Sequence, residues 1–218
     1  MPCPCVLLAC IGLPIWDGAP RTIHFEIDEW ENKSWGLHAI DRRAIRCVTA
    51  VSASGSRANQ CNSELFHHYF VPYDSGSLHT IYQGPLHSGY SIDDEHRTAR
   101  GGECSCWWEL VRQKADDSTC CQTADELLPG GKYVGSDRIA GRFLVQYQKQ
   151  DDDDGVVHEL ALAPELGCEV MEQLQRWPGT LGIPGAEWRY RVTSYQAGEP
   201  DGSLFQVPAG YAIEQMRE

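Results

Sequence analysis

Apolar and polar residues alternate in short runs along most of this chain, and they recur at helical spacing in one region only. From Arg21 to Trp30, Ile23, Phe25 and Ile27 alternate with His24, Glu26 and Asp28, a period of two that gives a strand one buried and one wet face. Ile45, Cys47, Thr49 and Val51 repeat the pattern, and Ser52–Ser56 supplies turn residues. Leu65–Val71 reads as a strand ended by Pro72, and Leu78–Tyr82 and Tyr90–Ile92 as short strands. Arg138–Lys149 places Phe143, Val145 and Tyr147 opposite Arg142, Gln146 and Gln148. After the charged connection Asp151–Asp154, its partner Val156–Ala163 sets His158, Leu160 and Leu162 against Val157, Glu159 and Ala161. Residues 164–175 suit a helix through Leu166, Val170 and Leu174, or a strand with Cys168, Val170 and Leu174 on one face, and the strand is preferred. The clearest strand alternates Trp188, Tyr190 and Val192 with Glu187, Arg189, Arg191 and Thr193. Beyond it Asp201 caps a short turn that returns Leu204 and Phe205 to the core.

The helical exception lies between Cys104 and Leu128. Trp107, Leu110, Val111 and Lys114 fall at helical spacing, and Thr123 with Glu126 forms a capping box before Leu127, Leu128 and the stop Pro129-Gly130-Gly131. The expected architecture is mainly β within the α+β class, an antiparallel meander with one or two short helices over one face.

Composition narrows the function. At 218 residues, with 7 Trp, 9 Tyr and 5 Phe, the chain suits one folded domain. A net charge of -13 opposes nucleic-acid partners and anionic membrane surfaces. No apolar run reaches the roughly 18–20 residues of a membrane span. Val6–Trp16 has the length of a signal-peptide core and is followed by Gly18-Ala19, although no basic residue precedes it. Residues 1–19 thus read as a degraded signal segment and 20–218 as one domain. Leu7-Leu8-Ala9-Cys10 also has the look of a lipobox. Ten cysteines suit an oxidising compartment, and seven remain if residues 1–19 are removed, so at least one thiol stays free or pairs between chains.

The segments YVGSDRIAGRFLVQYQ (133–148), VVHELALAPELGCEV (156–170) and YRVTSYQAGEPDGSLFQVPAGYAI (190–213) resemble the second half of uncharacterised bacterial envelope proteins. Their pattern is similar to that of the outer-membrane lipoprotein-sorting, or LolA-like, superfamily. The resemblance covers about the last 85 residues and carries over no catalytic residue. It implies a curved half-barrel with helices on its concave face, export to the periplasm or outer membrane, and a lipid or lipoprotein acyl chain as partner.

Candidate chemistry is sparse. Cys104, Cys106, Cys120 and Cys121 are weak metal candidates, because a one-residue gap and a vicinal pair chelate poorly. Disulfides between Cys104 or Cys106 and Cys120 or Cys121 are the alternative. His67 and His68 would point to opposite faces of a strand. Asp151–Asp154 lacks the ligand spacing of a calcium loop. No nucleophile elbow, phosphate loop or His-Glu-x-x-His appears, so a non-enzyme without cofactor is expected. The remaining candidates are apolar: Phe25, Ile27, Phe143, Val145, Tyr147, Leu160, Trp188 and Tyr190 lie on the apolar faces of strands that can be neighbours. Either they form a filled core, as in a structural or interaction module of the envelope, or they line a groove for a hydrophobic group.

Overall fold

The computed structural model describes residues 20–32, 40–67, 71–86, 88–103, 120–179 and 185–215. Two meanders make one sheet. The first is β1 (Arg21–Asn32), β2 (Ile40–Val51), β3 (Arg57–His67), β4 (Val71–Gln83), β5 (Ser88–Asp93) and β6 (Thr98–Glu103). The second is β7 (Lys132–Ile139), β8 (Arg142–Gln150), β9 (Val157–Ala163), β10 (Glu169–Trp177) and β11 (Ala186–Ala197). Antiparallel pairing of β1 with β11 joins them, and the short β12 (Ala212–Gln215) adds to the far edge, parallel to β6. The order β12-β6-β5-β4-β3-β2-β1-β11-β10-β9-β8-β7 gives a curved, unclosed 12-stranded sheet, consistent with a half-barrel. Its one described helix, α1 (Cys120–Leu127), lies against β9 and contributes Ala124 to the core.

The two faces are apolar in different places. Around β1 and β8–β11 the buried side chains include those of Phe25, Ile27, Tyr147, Leu160, Leu162, Tyr190 and Val192. On the other face of β1, β2, β10 and β11 charges oppose one another across strands: Arg42 with Asp28, Arg46 with Glu26, Arg191 with Glu172 and Arg176 with Glu187. Such exposed pairs stabilise by about 0–1 kcal/mol each and chiefly keep that face wet. Over β2–β6 this second face becomes apolar, with Ala50, Ala58, Ile81, Ile92 and Ala99 buried. The chain after β11 runs back across it. Gly198 N–H donates to Pro20 O, Glu199 accepts from Ala53 N–H, Phe205 packs on Ala50 and Ala58, and Val207 and Tyr211 pack against Ile81, Ile92 and Ala99.

Several expectations need correction. Leu65–His67 ends a strand that begins at Arg57, and Pro72 lies inside β4. Proline is tolerated there because β5 pairs only with His79–Gln83, which leaves residue 72 on an edge, and because a bulge falls beside it between Leu65 and Phe66. The run from Arg138 is not one strand. Ala140 and Gly141, with φ of 49° and 77°, form a two-residue turn between β7 and β8, the geometry that matches strand twist. Thr123 is no helix cap, since α1 starts at Cys120, where a disulfide to Cys168 anchors its first turn. The helix does stop at Gly130, whose φ is 78°. Residues 164–166 form a 3₁₀ turn, and the strand begins at Glu169. A bulge between Val170 and Glu172 then sets Val170 beside Leu162 but Leu174 beside Glu159, so the two leave a common face. Asp201 does cap Gly202–Phe205 by accepting from Ser203 N–H at 2.9 Å, and Phe205 is buried, but Leu204 is exposed. Trp107, Leu110, Val111, Lys114, His68 and the His67 side chain lie outside the described residues.

Candidate functional site

Strand register assembles the apolar candidates into rows across the sheet. The longest row runs Tyr133, Tyr147, Leu160, Gln173, Tyr190, Ile27 and Ile45, each residue opposite the next on the neighbouring strand. Phe25 stands in the adjacent row opposite Val192 and Cys47, and Val145 stands opposite Leu162. The Phe25 and Tyr190 rings lie 5.0 Å apart and those of Tyr133 and Tyr147 6.0 Å apart, distances at which aromatic pairs attract. Phe25, Ile27, Tyr147, Leu160 and Tyr190 are buried, and Val145 and Trp188 are partly buried against the same cluster. Tyr133, at the β7 edge, is 61% exposed. The row, apolar except for the half-buried Gln173, therefore leads from an open edge into a closed centre.

Phe143 departs from the expectation. It is 44% exposed, whereas Leu144, which shares the parity of Arg142, Gln146 and Gln148, is fully buried. Ala161 and Ala163 are buried as well, so β9 has no wet face at its end. The cause is the 3₁₀ turn Pro164–Leu166, which folds back over β8 with Leu166 on the core cluster and Glu165 bonded to Arg142 at 3.2 Å. A shallow depression of about 130 Å³ lies over β8–β10, and its lining is mixed: Gln146, Gln148, Glu159 and Glu172 with Val134, Tyr147, Leu160 and Ala161.

The cysteines pair differently from the expectation. Cys47 bonds Cys61 across β2 and β3, and Cys120 bonds Cys168 between α1 and the start of β10. Cys120 is thus neither a thiolate ligand nor a partner of Cys104 or Cys106, because the helix sets it beside Cys168. Cys104 and Cys106 lie outside the described residues, as does the Cys121 side chain. Among the described residues no group of three metal-ligating side chains converges. Asp151 accepts instead from Lys149 Nζ at 2.8 Å and pairs with His158 Nε2 at 2.9 Å, bonds that hold its carboxyl below the usual range. No described helix is long and apolar enough to cross a membrane.

No family model and no curated protein matches this chain. Solved structures are matched at low similarity. A structure of MucB in complex with MucA(peri) matches at 16% identity and a TM-score of 0.44, over 91% of this chain and 57% of the matched one. A MucA/MucB complex from Pseudomonas aeruginosa matches at 15% and 0.44, over 90% and 59%. A domain described as an outer membrane lipoprotein-sorting protein, from Vibrio parahaemolyticus, matches at 7% and 0.23, over 85% and 89%. The chain therefore spans 57% and 59% of the matched chains in the first two structures.

A charged cluster adjoins the apolar rows, and the reading of the sequence missed it. Arg21 Nε lies 3.3 Å from Glu169 Oε2, and both side chains are almost fully buried. Arg57 is on the same row of the sheet as Arg21, with Val51 between them. Burial, and then the charge of Arg21, push the Arg57 guanidinium pKa down, against the pull of Glu169. Burial, and then Glu169, push the Tyr190 phenol well above its ordinary value. One signal was legible: Arg21 shares the parity of Ile23, Phe25 and Ile27 and so belongs to the apolar face.

Proposed function

We propose that this chain is a non-enzymatic, exported binding protein of the bacterial cell envelope, in the periplasm or at the outer membrane. Its curved sheet takes a lipid, such as a lipoprotein acyl chain, or another hydrophobic group on the face of Phe25, Ile27, Val145, Tyr147, Leu160, Trp188 and Tyr190. The observation that carries this reading is the row from exposed Tyr133 through Tyr147 and Leu160 to Tyr190 and Ile27. Apolar area removed from water supplies roughly 25 cal/mol per Å², so such a surface binds a hydrocarbon tail without directional chemistry. The two disulfides agree with export, because they persist in oxidising compartments.

A second reading has its own support. Phe25, Ile27, Leu160 and Tyr190 are each at most 5% exposed, as in a filled core, which suits an interaction module with no ligand. Native mass spectrometry of protein purified from an envelope fraction, before and after organic extraction, separates the two. A mass excess that solvent removes, identified as a lipid, is expected. A bare polypeptide mass under the same mild conditions, with no uptake of added lipid, refutes the carrier and leaves the module.

A further inference from the structure

The sheet row that begins at Arg21 differs from every apolar row beside it. It runs Arg21, Val51, Arg57, Tyr82, each opposite the next. Arg21 and Arg57 are two strands apart, about 10 Å between strand axes, and the buried Val51 floors the space between them. Glu169, the one acidic side chain that pairs with this cluster among the described residues, is engaged by Arg21. Arg57 is partly buried, and among the described residues no hydrogen bond or ion pair forms to its guanidinium. A guanidinium half out of water, without an acceptor and beside a like charge, sits in a place that favours a visiting anion. In a chain of net charge -13 such a site is not explained by an overall excess of cations.

From this cluster the same face of β1 continues as Ile23, Phe25 and Ile27, all buried in the core. Six residues of strand span about 20 Å. Cationic head site and buried apolar rows are therefore contiguous and in line. Resting on the reading above, we propose that the ligand is an anionic amphiphile whose carboxylate or phosphate head bonds Arg57 beside the Arg21–Glu169 pair, while its tail lies along the apolar rows. Arg57 then selects among hydrophobic ligands, and Glu169 limits the site to one unbalanced positive charge by holding Arg21.

The test compares three probes on the oxidised protein: dodecanoate, dodecanol and inorganic phosphate, each titrated by displacement of a neutral fluorescent apolar dye. Dodecanoate is expected to bind about tenfold or more tightly than dodecanol, the scale of one charge-assisted hydrogen bond. Phosphate alone is expected to displace no dye. Arg57→Gln should abolish the preference, and Arg57→Lys should keep most of it. Equal binding of dodecanoate and dodecanol by the unmodified protein, which needs no variant, overturns the anionic head while leaving the hydrophobic-group reading intact. A preference that survives Arg57→Gln in a folded variant overturns the role of Arg57. Failure of both dodecyl probes to bind overturns the hydrophobic-group reading and this inference with it.

Discussion

Arg21 and Glu169 show how much a single residue depends on its partner. Their side chains are 1% and 2% exposed, so each charge is kept out of water by the other's presence. Removing one member of a buried pair leaves an uncompensated charge and costs about 3–5 kcal/mol. Arg21→Met is expected to lower the denaturation free energy by about that amount in urea melts, and Arg21→Met with Glu169→Leu to recover part of it. A destabilisation under about 1 kcal/mol would show that the pair is not desolvated as described. Asp151 belongs to the opposite regime, at the surface. Hydrogen bonds from Lys149, and then His158, depress its folded pKa below the ordinary 3.8. Its contribution is therefore present above pH 3.8 and disappears as pH falls through the lower folded value. Thermal melts between about pH 2 and pH 5 should show a steeper acid loss in the unmodified protein than in Asp151→Asn. Parallel curves would remove Asp151 from the account.

Elements are tied together here by covalent bonds as well as by packing. The disulfides join residues 14 and 48 positions apart. Loop closure in the unfolded chain then predicts stabilisation of about 3 kcal/mol for Cys47–Cys61 and about 4 kcal/mol for Cys120–Cys168. The double variants Cys47→Ser/Cys61→Ser and Cys120→Ser/Cys168→Ser should lose stability in that order of size. The second should also free α1, visible as faster amide exchange over Cys120–Leu127. Protection of the helix unchanged by loss of Cys120–Cys168 would mean that Ala124 and Leu128 hold it by packing alone. Other elements owe their form to neighbours. β3 has little alternation, yet it lies between β2 and β4, where Thr49 Oγ1 donates to Asn59 Oδ1 and Asn59 Nδ2 to Thr80 Oγ1.

Over the whole molecule, the segment after β11 acts as a strap that closes the apolar part of the second face. Its fastening points are distributed: Gln83 Nε2 donates to Phe205 O, Tyr211 Oη donates to Asp94 Oδ1, and Arg100 pairs with Glu214 of β12. Phe205 is its buried anchor, and Phe205→Ala is expected to cost about 3–5 kcal/mol. Amide exchange should rise over β12 and β6 more than over β9 and β10 in that variant. Uniform acceleration across the sheet would show instead that the strap does not open on its own.

Alternation by itself determined the meander character of the chain, the buried sets on β1, β2 and β11, and the capped turn at Asp201, because those features rest on local periodicity and local hydrogen bonds. Ile23, Phe25, Ile27, Tyr190 and Val192 were legible for that reason. Tertiary structure alone decided what depends on a second segment. Phe143 opens to solvent and Leu144 closes because the 3₁₀ turn at Pro164 folds over β8. Leu174 leaves the face of Val170 because a bulge adds one residue to β10. Cys120 finds Cys168, 48 positions away, because a helix carries it there. Arg21, Arg57 and Glu169 meet only after the first meander is laid against the second, since no sequence period links positions brought together by strand pairing at long range.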